Sequence, residues 1–80
     1  SLYVADCSND RIQFFPPGIR NGTTLLDNKT HGLNCPSGVI LDADGYLYIV
    51  DGDRHRVLAG GSQGYRCIIG CTGSSGPTPT

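Results

Sequence analysis

The chain is 80 residues long, 38% hydrophobic, with 12 Gly and 5 Pro and neither Met nor Trp, a balance that favours strands and turns over helices in one small domain. Its 6 basic and 7 acidic residues leave a formal net charge of -1 with no basic stripe, which argues against nucleic acid as a partner. No apolar run approaches the ~20 residues needed to cross a bilayer, so membrane insertion is not expected either.

Residues 1–6 (SLYVAD) place Leu2 and Val4 on one face and Tyr3 and Ala5 on the other, the pattern of a strand covered on both sides. CSND turns the chain, RIQFF resumes as a second strand, and Pro16-Pro17-Gly18 stops it. TTLL is a weaker third strand, and DNKTHG reads as a loop by composition. CPSGVILD is an apolar run opened through a Pro and a Gly. The segment ADG breaks it before YLYIVD, with Asp44-Gly45 a hairpin signal because Gly takes positive φ without a Cβ clash. HRVLAGG and YRCIIGC follow, separated by GSQG. Three strands and then four are expected, and the short links imply an antiparallel meander. Residues 72–80 (TGSSGPTPT) have no apolar period and read as an exposed, semi-extended tail or linker, with Thr78 and Thr80 as candidate O-glycan acceptors.

Cys7, Cys35, Cys67 and Cys71 form an even count in a short chain, which allows three connectivities. Asn21-Gly22-Thr23 and Asn28-Lys29-Thr30 are N-glycosylation sequons in a polar stretch. Together with the Ser/Gly/Pro/Thr tail, these features point to a secreted or extracellular glycoprotein carrying covalent glycans. The start on Ser1 without a signal segment reads as a processed or excised chain.

Residues 2–12 (LYVADCSNDRI) and 47–57 (LYIVDGDRHRV) align at a fixed offset of 45, pairing Leu2 with Leu47, Tyr3 with Tyr48, Asp6 with Asp51 and Arg11 with Arg56. A period in the forties is the register of repeat architectures. The run from Pro36 to Val57, with its Pro-x-Gly opening, D-G turn, LYIVD strand and Arg-hydrophobic restart, resembles the NHL repeat, the blade of a class of β-propellers. The resemblance covers Leu2 to about Gly70 and implies an all-β fold of four-stranded antiparallel blade sheets in an incomplete NHL-type propeller. Residues 1–33 would be a partial blade supplying strands two to four, and residues 34–71 a complete blade. GVIL would then line the central channel, followed outward by YLYIV, RVLAG and YRCII. Closed propellers have about 4 to 8 blades, and a shorter array leaves sheet faces and edges exposed. The expected partners are therefore neighbouring blades or copies of itself, in a homo-oligomer, a polymer or a longer parent chain. The tail departs from the family pattern where a further Pro-Gly opening would come.

In propeller topology the turn holding Cys7 and the connection holding Cys35 lie at the same end of the sheet, so the resemblance implies a Cys7–Cys35 bridge stapling adjacent blades. Four residues of straight strand span ~13 Å, too far for a disulfide between Cys67 and Cys71. Either the chain bends there, with Gly70 as hinge, or each thiol has another partner; a zinc site from these two and a His has an incomplete ligand set. Asp6 and Asp51 end strands where a short carboxylate satisfies turn N–H groups, and Arg11 and Arg56 lie across the turn in position to pair with them. Asp42-Ala43-Asp44-Gly45 opens like a calcium loop but lacks the later bidentate acid, so the turn reading is preferred. NHL-type propellers include a peptide-amidating lyase with a histidine-held metal in the channel, yet neither His31 nor His55 falls on the expected inner strand. The expected function is non-enzymatic, without cofactor: a structural, adhesive or fibre-forming repeat module. The alternative is a fragment of a closed NHL-propeller enzyme or ligand-binding receptor whose site lies outside this chain.

Overall fold

The computed structural model describes residues 1–71, which form two antiparallel sheets of three and four strands around one core. The first sheet contains β1 (Leu2–Asp6), β2 (Arg11–Phe15) and β3 (Thr23–Asp27); the second contains β4 (Pro36–Leu41), β5 (Leu47–Asp51), β6 (Arg56–Gly61) and β7 (Gly64–Ile69). Strand order in both follows chain order, so the all-β meander expected from short links is the one that forms. The tail at 72–80, with Thr78 and Thr80, lies outside the described residues.

The repeat written in the sequence extends to the turns. After β1, a 3-10 turn over Cys7–Asn9 closes with Asp10 in the left-handed region (φ 52°), its N–H donating to the Cys7 carbonyl. After β5, a 3-10 turn over Gly52–Arg54 closes with His55 at φ 53°, its N–H donating to the Gly52 carbonyl. Non-glycine residues adopt this region rarely, Asp and His more readily than most, so the same backbone at the same offset marks a duplicated unit.

Between β4 and β5, Asp42 Oδ1 accepts the N–H groups of Asp44 and Tyr46 at 2.9 Å each, and Gly45 takes φ 85°. The carboxylate that opened a calcium-like motif is thereby committed to shaping the hairpin. The β6–β7 link is tighter than the GSQG spacer predicts: pairing continues to Gly61 opposite Gly64, leaving Ser62 and Gln63 as the loop. Gly60 permits that approach, since a Cβ there would collide with the Gly64 carbonyl. The segment read as a loop, DNKTHG, instead contains one α-helical turn, α1 (Asn28–His31). Asp27 Oδ1 accepts the Thr30 N–H at 2.8 Å while Thr30 Oγ1 accepts the Asp27 N–H at 3.1 Å, a reciprocal cap that polar composition concealed.

Ile12, Leu26 and Leu33 from the first half of the chain and Leu47, Ile49 and Leu58 from the second form one buried cluster. Full burial of a Leu or Ile side chain is worth roughly 1.5–3 kcal/mol, so these six hold the sheets face to face. Tyr3, Ala5, Val39, Tyr65 and Cys67 close its margin. The expectation that β1 is covered on both sides holds for one side only: Leu2 remains 59% exposed on the far face. No helix among the described residues is long and apolar enough to cross a membrane.

Candidate functional site

The joint between the sheets is the segment from His31 to Cys35, and both repeats grip it. Cys35 is disulfide-bonded to Cys7 and donates its N–H to Asp10 Oδ1 at 2.8 Å, tying the joint to the β1–β2 turn. From the other side, Asp51 Oδ1 accepts the Asn34 N–H at 2.8 Å, and Arg56 donates through Nη2 to the His31 carbonyl. Arg56 Nε also donates to Asp51 Oδ2 at 2.7 Å, within a pair whose carboxylate is fully buried. Asp51 was expected to satisfy N–H groups of its own turn. Its side chain points toward the core instead and serves the connection preceding β4, a partner no local spacing reveals.

The equivalent pair in the first repeat is open. Arg11 Nε donates to Asp6 Oδ2 at 2.9 Å, and Asn9 Nδ2 donates to the same oxygen at 2.9 Å. The side chains of Arg11 and Asp6 are 37% and 23% exposed, against 18% and 0% for Arg56 and Asp51. The Asn9 amide, and after it the Arg11 guanidinium, hold the Asp6 carboxyl below the ordinary aspartate range. The Thr30 N–H does the same for Asp27.

Strand register divides each sheet into an inward and an outward face. In the first sheet Tyr3, Ala5 and Ile12 point inward while Leu2, Val4, Asp6 and Arg11 point outward. In the second, Leu47, Ile49, Asp51 and Arg56 point inward, whereas Tyr48, Val50 and Val57 point outward beside exposed Ile40 and Ile69. At the 45-residue offset these sets exchange roles. The outward face of the second sheet occupies the positions by which the first sheet packs internally, and the outward face of the first occupies the internal positions of the second. Sequence reading identified the repeat but missed this complementarity, because alternation separates two faces without saying which is filled.

The remaining candidates are used structurally. Gly70, at φ 72°, bends the chain so that the Cα atoms of Cys67 and Cys71 come within 5.6 Å and the two are bridged, which removes them as zinc ligands. His31 Nδ1 lies 2.8 Å from Thr30 Oγ1 with its ring edge-on to Tyr65, and His55 sits exposed at the close of its turn; neither is on β4. Among the described residues no three His, Cys, Asp or Glu side chains cluster to hold a metal. A cleft of about 300 Å³ by the β6–β7 hairpin is lined by Tyr46, Gln63, Tyr65 and Arg66 among others, without a carboxylate or imidazole for acid–base work.

The two sequons differ in geometry. Asn21 is exposed in a bend before β3, whereas Asn28 opens α1, donates through Nδ2 to the Leu33 carbonyl at 3.0 Å, and depends on a Thr30 hydroxyl engaged in the cap. An asparagine glycosyltransferase offered the folded, oxidised protein is expected to modify Asn21, with Asn28 becoming an acceptor after unfolding. Peptide mapping by mass spectrometry reads the outcome, and equal occupancy in the folded state would refute it.

Compared with models of known protein families the sequence matches none, and a search of curated proteins likewise finds no match.

Proposed function

We propose that the chain is a non-enzymatic, secreted glycoprotein repeat module of NHL-propeller type, whose role is structural or adhesive and is exercised by stacking blade upon blade with neighbouring repeats or copies of itself. The observation that carries this reading is the exchange of faces described above. Because Tyr48, Val50 and Val57 stand where Tyr3, Ala5 and Ile12 stand one repeat earlier, the outward face of one molecule is shaped for the outward face of the next. Such an interface is heterologous, and repetition extends it into a fibre or closes it into a ring. Exposure of Ile40 at 67%, Ile69 at 50% and Val50 at 42% on one sheet face supports burial against a partner, since an apolar patch of this kind marks an association surface. Two disulfides in so small a domain are compatible with an extracellular setting.

The test is sedimentation of the glycosylated, oxidised protein over a range of concentrations, beside the Ile40→Lys and Val50→Lys variants. The parent is expected to assemble, and each variant to stay monomeric with unchanged thermal unfolding, because both side chains are exposed in the single molecule. A parent that remains a folded monomer at every concentration would overturn the reading.

A further inference from the structure

The chain has four asparagines, Asn9, Asn21, Asn28 and Asn34, and only Asn21 is followed by glycine. We propose that Asn21 is a self-modification site, at which the Gly22 backbone nitrogen displaces the side-chain amide and the residue ends as a mixture of aspartate and isoaspartate. Water is the only co-reactant, and the conversion does not depend on the association reading.

The first step closes a succinimide ring. The Gly22 nitrogen gives up its proton to solvent base and attacks Asn21 Cγ; the N–Cγ bond forms and the Cγ–Nδ2 bond breaks, with Nδ2 taking a proton and leaving as ammonia. Water then opens the ring. Cleavage at Cγ leaves an ordinary aspartate, and cleavage at the main-chain carbonyl routes the backbone through the side chain as isoaspartate. Either product exchanges an amide for a carboxylate, with nothing oxidised or reduced.

The reaction needs a free amide, an unhindered neighbouring nitrogen and a backbone able to turn one onto the other. Asn21 is exposed in a bend before β3, and among the described residues neither its amide nor the Gly22 N–H has a hydrogen-bond partner. Gly22 brings no side chain to shield the nitrogen or restrict the backbone. Packing holds glycine at this position, since a Cβ would lie 2.8 Å from Phe15 Cζ and 2.9 Å from Gln13 Nε2. Elsewhere the same ingredients are withheld. Asn9 Nδ2 donates to Asp6, and the nitrogen that would attack Asn9, that of Asp10, donates to the Cys7 carbonyl. Asn28 Nδ2 donates to the Leu33 carbonyl, and the nitrogen following Asn34, that of Cys35, donates to Asp10 Oδ1. The Asp-Gly pairs would close the same ring by losing water. Of these, Asp44-Gly45 has its Gly45 N–H committed to the Asp42 carbonyl, and in Asp51-Gly52 the carboxylate is buried with both oxygens engaged.

Asn21 also opens a sequon, and Nδ2 is the atom a glycan takes. The two modifications therefore exclude each other: conversion removes the acceptor for good, and a glycan turns the small leaving group into a bulky glycosylamine. Only this exclusion rests on the glycoprotein reading.

The test holds the oxidised 80-residue chain, made without glycosylation, in mildly alkaline buffer and samples it over time. Peptide mapping by mass spectrometry locates the change from amide to acid, and a protein isoaspartate methyltransferase counts the isoaspartate. Conversion is expected at Asn21, faster as pH rises and at a rate within a few-fold of that in a peptide of residues 17–26, while Asn9, Asn28 and Asn34 stay intact. Gly22→Ala is expected to slow it by about an order of magnitude. Because that Cβ presses on Phe15, Asn21→Gln is run beside it and should abolish the isoaspartate signal with the fold unchanged, the side chain being exposed. An Asn21 that stays intact while the peptide converts, an earlier conversion at another asparagine, or a signal that survives Asn21→Gln would each overturn the proposal. Conversion at equal rates with and without sugar on Asn21 would overturn the exclusion. Material from a glycosylating host that carries no sugar there would count against the glycoprotein reading alone, since the conversion is measured on the bare chain.

Discussion

Replacing Cys7 and Cys35 together by serine is expected to lower the free energy of unfolding by about 3.5 kcal/mol, with the Cys67–Cys71 bridge left in place. The bridge spans 28 residues, from the β1–β2 turn to the residue before β4, so in the unfolded chain it removes the entropy of a long loop. The bridge between Cys67 and Cys71 spans only 4, for which the same relation gives about 2 kcal/mol. A loss near 3.5 kcal/mol in a domain of this size corresponds to a fall in melting temperature of roughly 15 to 25 °C. Urea denaturation of the two double-serine variants measures the difference. Equal losses, or a greater loss from the shorter bridge, would show that the first disulfide is not what ties the repeats together.

The consequence for association is direct. In the stacking proposed above, the two sheets must present their outward faces at a fixed spacing and angle, and the segment from His31 to Cys35 joins them. Residues from the first repeat, Cys7 and Asp10, and from the second, Asp51 and Arg56, converge on that short segment. Loss of the bridge is therefore expected to act on assembly through the docking of the sheets, even though Cys7 is on neither outward face.

What was legible in the sequence was whatever depended on local order. The repeated LYVAD and LYIVD fixed two equivalent strands, Asp44-Gly45 fixed a hairpin, and the conditional reading that a Cys67–Cys71 bridge needs a bend at Gly70 follows from strand rise alone. What was not legible depended on packing. Asp51 was assigned to its own turn because that is the nearest donor along the chain, yet burial turns it to Asn34. Leu2 and Leu47 are the same residue at the same place in the repeat, and one is 59% exposed while the other is 3% exposed. Leu47 faces the neighbouring sheet from a strand paired on both sides, whereas Leu2 is on the outward face of a strand paired with β2 alone. The cap of α1 escaped notice for a smaller reason: Thr30 takes the place of the Glu or Gln that usually marks a reciprocal cap.

That same difference in cover governs the response to losing the two equivalent carboxylates. Asp51→Ala is expected to destabilise the fold by about 3 kcal/mol, because it strands the Arg56 guanidinium in a mostly buried place and leaves the Asn34 N–H without its acceptor. Asp51→Asn retains an acceptor oxygen for Asn34 but not the charge facing Arg56, and should fall between the variant and the parent. Adding Arg56→Ala to Asp51→Ala is expected to restore part of the loss, since the uncompensated cation is then gone, although the His31 carbonyl also loses its donor. Asp6→Ala, at the corresponding position of the first repeat, should cost far less, because water reaches both members of its pair and screens what remains. Denaturant midpoints for these four variants and for Arg56→Ala alone, which completes the double-mutant cycle on the buried pair, decide the matter. Similar losses for Asp51→Ala and Asp6→Ala would mean that the exposed pair already carries the load of the buried one, and that burial is not what sets the two carboxylates apart.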